Sequence, residues 1–161
     1  MCDLHAQFFD SWRNQCRGPT DNHPCTQFLQ TPYIGPDVYG STLGIIGFGK
    51  IGQALAKRAQ GFDMNVLYYS RSRKNELESK LNVKWSPNIN TLLKESDYIC
   101  VLVPLSKDTE HIISVDELKL MKKTAFLINT SRGKTVDQKA LINALESNSI
   151  AGAALDVTDP E

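Results

Sequence analysis

From Thr42 onward, short apolar runs alternate with stretches in which apolar residues recur every three or four positions. The first pattern reads as buried strand and the second as amphipathic helix. Thr42–Ile46 (TLGII) is a predicted strand, and Lys50–Gln60 sets Ile51, Ala54, Leu55 and Ala59 on one helical face, with Gly61 as the expected stop. Asn65–Tyr69 (NVLYY) reads as a second strand, Asn75–Lys80 as a charged helix and Ile89–Glu95 as a short helix. Tyr98–Val103 is the next strand, closed by Pro104. Ser114 and Glu117 form a capping box for a helix running to about Met121. Ala125–Asn129 is again a strand, Asp137 can cap a helix over Gln138–Ser147, and Ile150–Leu155 (IAGAAL) reads as a last buried strand. Strands alternating with helices imply an α/β fold with a doubly wound parallel sheet covered on both faces.

The segment ahead of this pattern has a different texture. Gly18-Pro19, His23-Pro24, Thr31-Pro32 and Gly35-Pro36 interrupt any long element. Residues 1–36 are therefore expected to be a leader or linker and 37–161 the folded domain. The 161 residues carry 41% hydrophobic and 22% charged side chains, ordinary values for a globular protein. Eighteen Lys and Arg balance eighteen Asp and Glu, so no global field favours nucleic acid or an anionic membrane surface, and neither partner is expected. No apolar run reaches the roughly 18–20 residues of a bilayer span, and the first residues are not a basic-then-apolar leader, which makes the cytoplasm the expected location. Cys2, Cys16 and Cys25 lie early and Cys100 inside a strand, a distribution that does not suggest a disulfide framework. Cys2, His5, Cys16, His23 and Cys25 are zinc-ligand types, but their irregular spacing lacks a paired CxxC, and no metal is expected.

Candidate chemistry begins at the run Gly47-Phe48-Gly49-Lys50-Ile51-Gly52, set between the first strand and the first helix. In that position the first glycine permits the tight turn, the second lets backbone approach a pyrophosphate, and the third lets helix and strand pack closely. Free N–H groups at the helix start then face the phosphate, as in a Rossmann-type dinucleotide site. The residue that would bond the ribose 2′-hydroxyl of NAD is an acid at the end of the second strand. Ser70-Arg71-Ser72-Arg73-Lys74 stands there instead, and its cations suit a 2′-phosphate. NADP(H) is favoured as cofactor, with NAD(H) the alternative of a solvated basic loop.

With these motifs in place, the chain resembles the D-isomer-specific 2-hydroxyacid dehydrogenases, and among them the glyoxylate/hydroxypyruvate reductases. The resemblance rests on DVYGSTLGIIGFGKIGQALAKRAQGF, NVLYYSRSRK, LLKESDYICVLVPLSKDTEHII, LKLMKKTAFLINTSRGKTVD and IAGAALDVTDPE, covering about residues 37 to 161. It implies the cofactor domain of an oxidoreductase that exchanges hydride with a small 2-oxo or 2-hydroxy acid, glyoxylate or hydroxypyruvate, and that pairs as a homodimer. By resemblance, Gly49, Lys50, Ile51 and Gly52 meet the pyrophosphate, with Gly47 in the same turn, and Arg71, Ser72 and Arg73 meet the adenosine ribose and its phosphate. Thr130, Ser131, Arg132 and Asp156 would face the nicotinamide, and Pro104 would line the same crevice. Arg132 also falls on the substrate-binding arginine, whose guanidinium can grip a carboxylate and polarise the neighbouring carbonyl. Glu161 falls on the glutamate that assists the proton-donating histidine.

In the family that histidine lies beyond the glutamate, and the first half of the substrate domain precedes the cofactor domain. The expectation here is a chain that binds cofactor with the substrate domain largely missing, and that turns over 2-oxo acids negligibly alone. His5, His23 and His111 read as surface or structural histidines. The leader, residues 1 to about 27, does not align with the motifs; it reads as a remnant of the linking helix and dimerisation arm or as a product of truncation. The alternatives to the enzyme are a catalytically incomplete fragment and an NAD(P)-sensing regulatory module, the latter disfavoured by the basic SRSRK run.

Overall fold

The computed structural model describes residues 36–160. The chain divides after Pro36, and the unit described is the one that begins at Asp37. Six parallel strands form its sheet in the order β3-β2-β1-β4-β5-β6. They are β1 (Thr42–Ile46), β2 (Asn65–Tyr69), β3 (Val83–Trp85), β4 (Tyr98–Val101), β5 (Phe126–Asn129) and β6 (Gly152–Leu155). The helices are α1 (Lys50–Ala59), α2 (Asn75–Leu81), α3 (Ile89–Glu95), α4 (Val115–Leu120) and α5 (Gln138–Glu146).

The period of two along a strand divides the core between the two faces. Leu43 and Ile45 of β1, with Val66 and Tyr68 of β2, pack against Ala56 and Ala59 of α1 and against Leu77 and Leu81 of α2. Ile46, Leu67, Ile99, Val101 and Leu127 point the other way, onto Leu92 and Leu93 of α3, Leu118 of α4 and Leu141 of α5. Both faces are covered, so the central strands can be apolar throughout; Ile45 and Ile46 are both fully buried. Burying each such side chain contributes about 1.5–3 kcal/mol.

Strand order reverses between β1 and β4, because the first crossovers run outward through β2 and β3 and the later ones outward through β5 and β6. Ile46 pairs with Tyr69 on one side and with Val101 on the other, so three carboxyl ends finish at one level around a crevice.

Several boundaries differ from the sequence expectation. β4 stops at Val101 rather than Val103: Leu102 N–H still reaches Ile46 O at 2.8 Å, but β1 ends there and offers no further partner. The first helix does not stop on Gly61. A 3-10 turn over Gln60–Phe62 follows α1, and Asp63 takes the left-handed conformation at φ 49°. β5 and β6 begin at Phe126 and Gly152, later than read. β6 is not fully buried as expected, since it has one strand neighbour and exposes Ala154 and Leu155. β3 was not foreseen.

Candidate cofactor site

The turn after β1 gives three glycines three different environments. Gly47 sits at φ 102°, where a side chain would be strained, and its Cβ would lie 2.7 Å from Leu102 O. Gly52 packs so closely that a Cβ would stand 2.5 Å from Gly47 O. At Gly49 a Cβ would meet nothing within 4 Å, leaving the approach to the helix open. Gly49 caps α1 with no side-chain hydrogen bond, and no acid stands in the first helical turn. Lys50 and Ile51 begin the helix and are exposed. Unsatisfied N–H groups, a positive helix end and an open cradle together fit a phosphate group.

The end of β2 lies beside this turn, because Gly47 N–H donates to Tyr69 O at 2.9 Å. Ser70 Oγ donates to Ser72 O at 2.7 Å and folds the loop that carries Arg71, Ser72 and Arg73, all exposed. The loop's three cations, Arg71, Arg73 and Lys74, are not equivalent, however. Arg73 Nε and Nη2 both donate to the Glu78 carboxylate at 2.8 Å, and the guanidinium carbon lies 5.3 Å from the Trp85 ring centre. That pairing holds the Glu78 carboxyl below its ordinary range and raises Arg73 further. Burial pushes the Tyr68 phenol up, against the lowering effect of the Lys74 backbone hydrogen bond.

On the other side of the turn, a crevice of about 460 Å³ is lined by Ile51, Leu102, Val103, Pro104, Leu105, Thr130, Ser131 and Arg132. Pro104 is fixed by its own loop, whose Thr109 Oγ1 donates to Pro104 O at 2.6 Å. The Thr130–Arg132 backbone is set by a buried amide that motif reading had missed. Asn129, 1% exposed, accepts through Oδ1 from Ser131 N–H at 3.0 Å and Ser131 Oγ at 2.8 Å, and donates through Nδ2 to Arg132 O at 3.0 Å. The fully buried Thr135 adds Oγ1 to Arg132 O at 2.7 Å. Arg132 Nη1 donates to Ser131 O at 2.7 Å, and the residue is exposed at the crevice edge.

A family model for the NAD binding domain of D-isomer specific 2-hydroxyacid dehydrogenases matches residues 7–161. The chain belongs to this family. The match begins at residue 7, thirty residues before the stretch in which motifs are readable, where the sequence has Pro and Gly punctuation but no strand-turn-helix signature. Among related 2-hydroxyacid dehydrogenases, a glyoxylate reductase of Pyrococcus horikoshii is 57% identical over 129 residues, covering 80% of this chain and 38% of the relative. The chain thus spans about two fifths of the curated relatives it matches. A crystal structure of a glyoxylate reductase from Paecilomyes thermophila superposes with a TM-score of 0.74 at 38% identity, over 86% of this chain and 44% of that one. An NAD-complexed family member from Lactobacillus delbrueckii ssp. bulgaricus gives 0.73 at 39% identity, over 78% and 38%. A nicotinamide dinucleotide cofactor accordingly goes with this dehydrogenase domain.

Of the site residues read from the sequence, the dehydrogenase fold gathers Ile51, Pro104, Thr130, Ser131 and Arg132 around one crevice, with Gly47, Gly49, Lys50 and Gly52 in the adjoining turn. Arg71, Ser72 and Arg73 stand at the end of β2. Asp156 follows β6; its N–H donates to Asn129 O at 3.0 Å, and its side chain is exposed outside the crevice lining. Glu161 lies outside the described residues, as do Cys2, His5, Cys16, His23 and Cys25. Among the described residues no cluster of His, Cys, Asp or Glu could hold a metal, and no helix is long and apolar enough to cross a membrane.

Proposed function

We propose that this domain holds NADP(H), in preference to NAD(H), for hydride exchange with a small 2-oxo or 2-hydroxy acid, glyoxylate or hydroxypyruvate being the fitting substrates. The observation that carries it is the arrangement of one carboxyl edge. A basic loop stands at the end of β2, an open glycine cradle at the end of β1, and an arginine-bearing crevice beyond β4 and β5. Bound there, the cofactor supplies or accepts the hydride.

The residues divide the work along that edge. Gly49, Lys50, Ile51 and Gly52 offer backbone N–H groups to the pyrophosphate, while Arg71, Ser72 and Arg73 offer donors to a 2′-phosphate. Thr130 and Ser131 line the crevice proposed for the nicotinamide end, with Pro104 walling it, and the family resemblance assigns Asp156 to the same end. Arg132 binds the substrate carboxylate as a planar fork and polarises its carbonyl, strengthening the pull on developing oxygen charge. The family resemblance assigns Glu161 to a histidine that gives the proton, and assigns homodimer pairing. The names of the relatives, glyoxylate reductases, support this substrate class.

Calorimetric titration with NADPH and NADH tests the cofactor reading. NADPH should bind about tenfold tighter or better, a difference of about 1.4 kcal/mol, and Arg71→Asp should erase it. Equal affinities, or an NADH preference indifferent to Arg71→Asp, would overturn the phosphate clamp. Glyoxylate binding to the NADP-loaded protein, lost in Arg132→Ala, tests the substrate reading.

A further inference from the structure

Glu78 stands on α2, outside the SRSRK run, yet it determines how Arg73 is held. Its carboxylate takes the side edge of the guanidinium, with Nε and Nη2 each at 2.8 Å. Tyr68, fully buried on β2, donates its hydroxyl to Glu78 Oε1 at 2.9 Å and accepts Lys74 N–H at 2.8 Å. One phenol therefore pins both the carboxylate and the backbone of the basic loop. Trp85, from β3, lies under the guanidinium. The Glu78 side chain is 17% exposed and that of Arg73 is 52% exposed, so the anchored edge is inside and the other end is in solvent. Two protons on Nη1 and one on Nη2 remain for a further acceptor. Arg73 also lines a recess of about 430 Å³, together with Lys74, Asn75, Glu76 and Leu77.

We propose that Glu78 is the positioning residue for cofactor selection: it fixes Arg73 edge-on, so that the free end of the guanidinium forms a rigid wall for the 2′-phosphate of NADP(H). The inference rests on the NADP(H) reading above and extends it to a residue outside the motif. A free arginine loses rotamer freedom when it grips a phosphate, whereas an arginine already clamped between a carboxylate and an indole has lost it beforehand. Glu78 also brings negative charge toward the site, which opposes a phosphate. The bidentate pair neutralises that charge, and the guanidinium stands between the two anions.

A double-mutant cycle separates the two effects. NADPH and NADH affinities are measured for the wild-type chain, Glu78→Gln, Arg73→Ala and the double variant, each checked by thermal unfolding. Glu78→Gln keeps the side-chain shape and should weaken NADPH about fivefold while leaving NADH within about twofold; in the Arg73→Ala background the same change should weaken nothing further. Tyr68→Phe, which removes the hydroxyl that orients Glu78, should weaken NADPH in the same direction. Tighter or unchanged NADPH binding in Glu78→Gln overturns the proposal, as does an equal loss for both cofactors or a loss that persists without Arg73. A wild-type chain without NADPH preference would overturn the cofactor reading itself, whereas a preference untouched by Glu78→Gln would overturn only the role of Glu78.

Discussion

Gly49 and Gly52 are the same residue three positions apart, and substitution should separate their roles. Gly49→Ala places its methyl in open space at an ordinary φ of −80°, so the fold should lose under about 1 kcal/mol, through a poorer N-cap. That methyl stands where a pyrophosphate would approach, and NADPH affinity should fall more than about tenfold. Gly52→Ala instead drives a methyl to 2.5 Å from the Gly47 carbonyl, which is backbone and cannot swing aside; a loss of about 1–3 kcal/mol follows. Urea unfolding and cofactor titration on the two variants should give opposite patterns, and a shared pattern would contradict this division. Cys100 offers a second test at this scale. It is buried and its thiol is pushed up to about 11, so the thiolate fraction at pH 8 is on the order of 10⁻³. Peptide mapping after iodoacetamide at pH 8 should find Cys100 unmodified in the folded chain and alkylated in urea. At this scale the motif residues were legible, but their supports were not. Asn129 looks like the end of a strand until the chain turns back through the 3-10 turn Gly133–Thr135 and brings Arg132 O to its amide. Arg73 looks like a free cation until α2 delivers Glu78.

Elements were legible where burial on two faces leaves a continuous apolar run, as in β1, β2 and β4, and where a cap is written in the sequence. Asp137 Oδ1 accepts Ala140 N–H at 3.1 Å, and Glu117 accepts the N–H of Ser114 at 3.1 Å. Asp137→Ala should therefore cost about 1 kcal/mol in urea unfolding, with faster amide exchange in the first turn of α5. β3 was not legible because its three residues are too short for a period and Lys84 is exposed in the middle. It forms because Val66, Leu67 and Tyr68 of β2 present an unpaired edge. The stop after α1 was misplaced for a related reason. Met64 N–H returns to Ala59 O at 3.3 Å, which demands the left-handed residue at Asp63 whatever Gly61 would tolerate.

Across the whole molecule, the two ends of the sheet do different work. The carboxyl end carries the crevice, and the amino end is tied together by Asp97. Asp97 Oδ2 accepts Thr42 N–H at 2.9 Å, and Oδ1 accepts Lys122 Nζ at 2.7 Å. Its backbone exchanges bonds with Thr42 and Phe126, so β1, β4 and β5 all start from this one residue. Partial burial would raise the Asp97 carboxyl, but the Lys122 ammonium and the Thr42 N–H together bring it below its usual value. A carboxylate lowered in the folded state stabilises the fold at neutral pH. As pH falls past about 4, the unfolded chain takes up its proton first, and that contribution is lost until the folded group also protonates. Wild-type stability should thus hold near neutrality and drop below about pH 4. Asp97→Asn should be about 1–2 kcal/mol less stable at pH 7, and the gap should close toward pH 3. A constant gap at both pH values would place the loss in packing rather than charge. Because the Asp97 tie and the crevice occupy opposite ends of the sheet, NADPH affinity at pH 7 should be the same in Asp97→Asn as in wild type. Saturating NADPH at about 100 times Kd should then add the same increment, about 2.7 kcal/mol, to both. An unequal increment would mean that the amino-end tie reaches through β1 to the glycine turn.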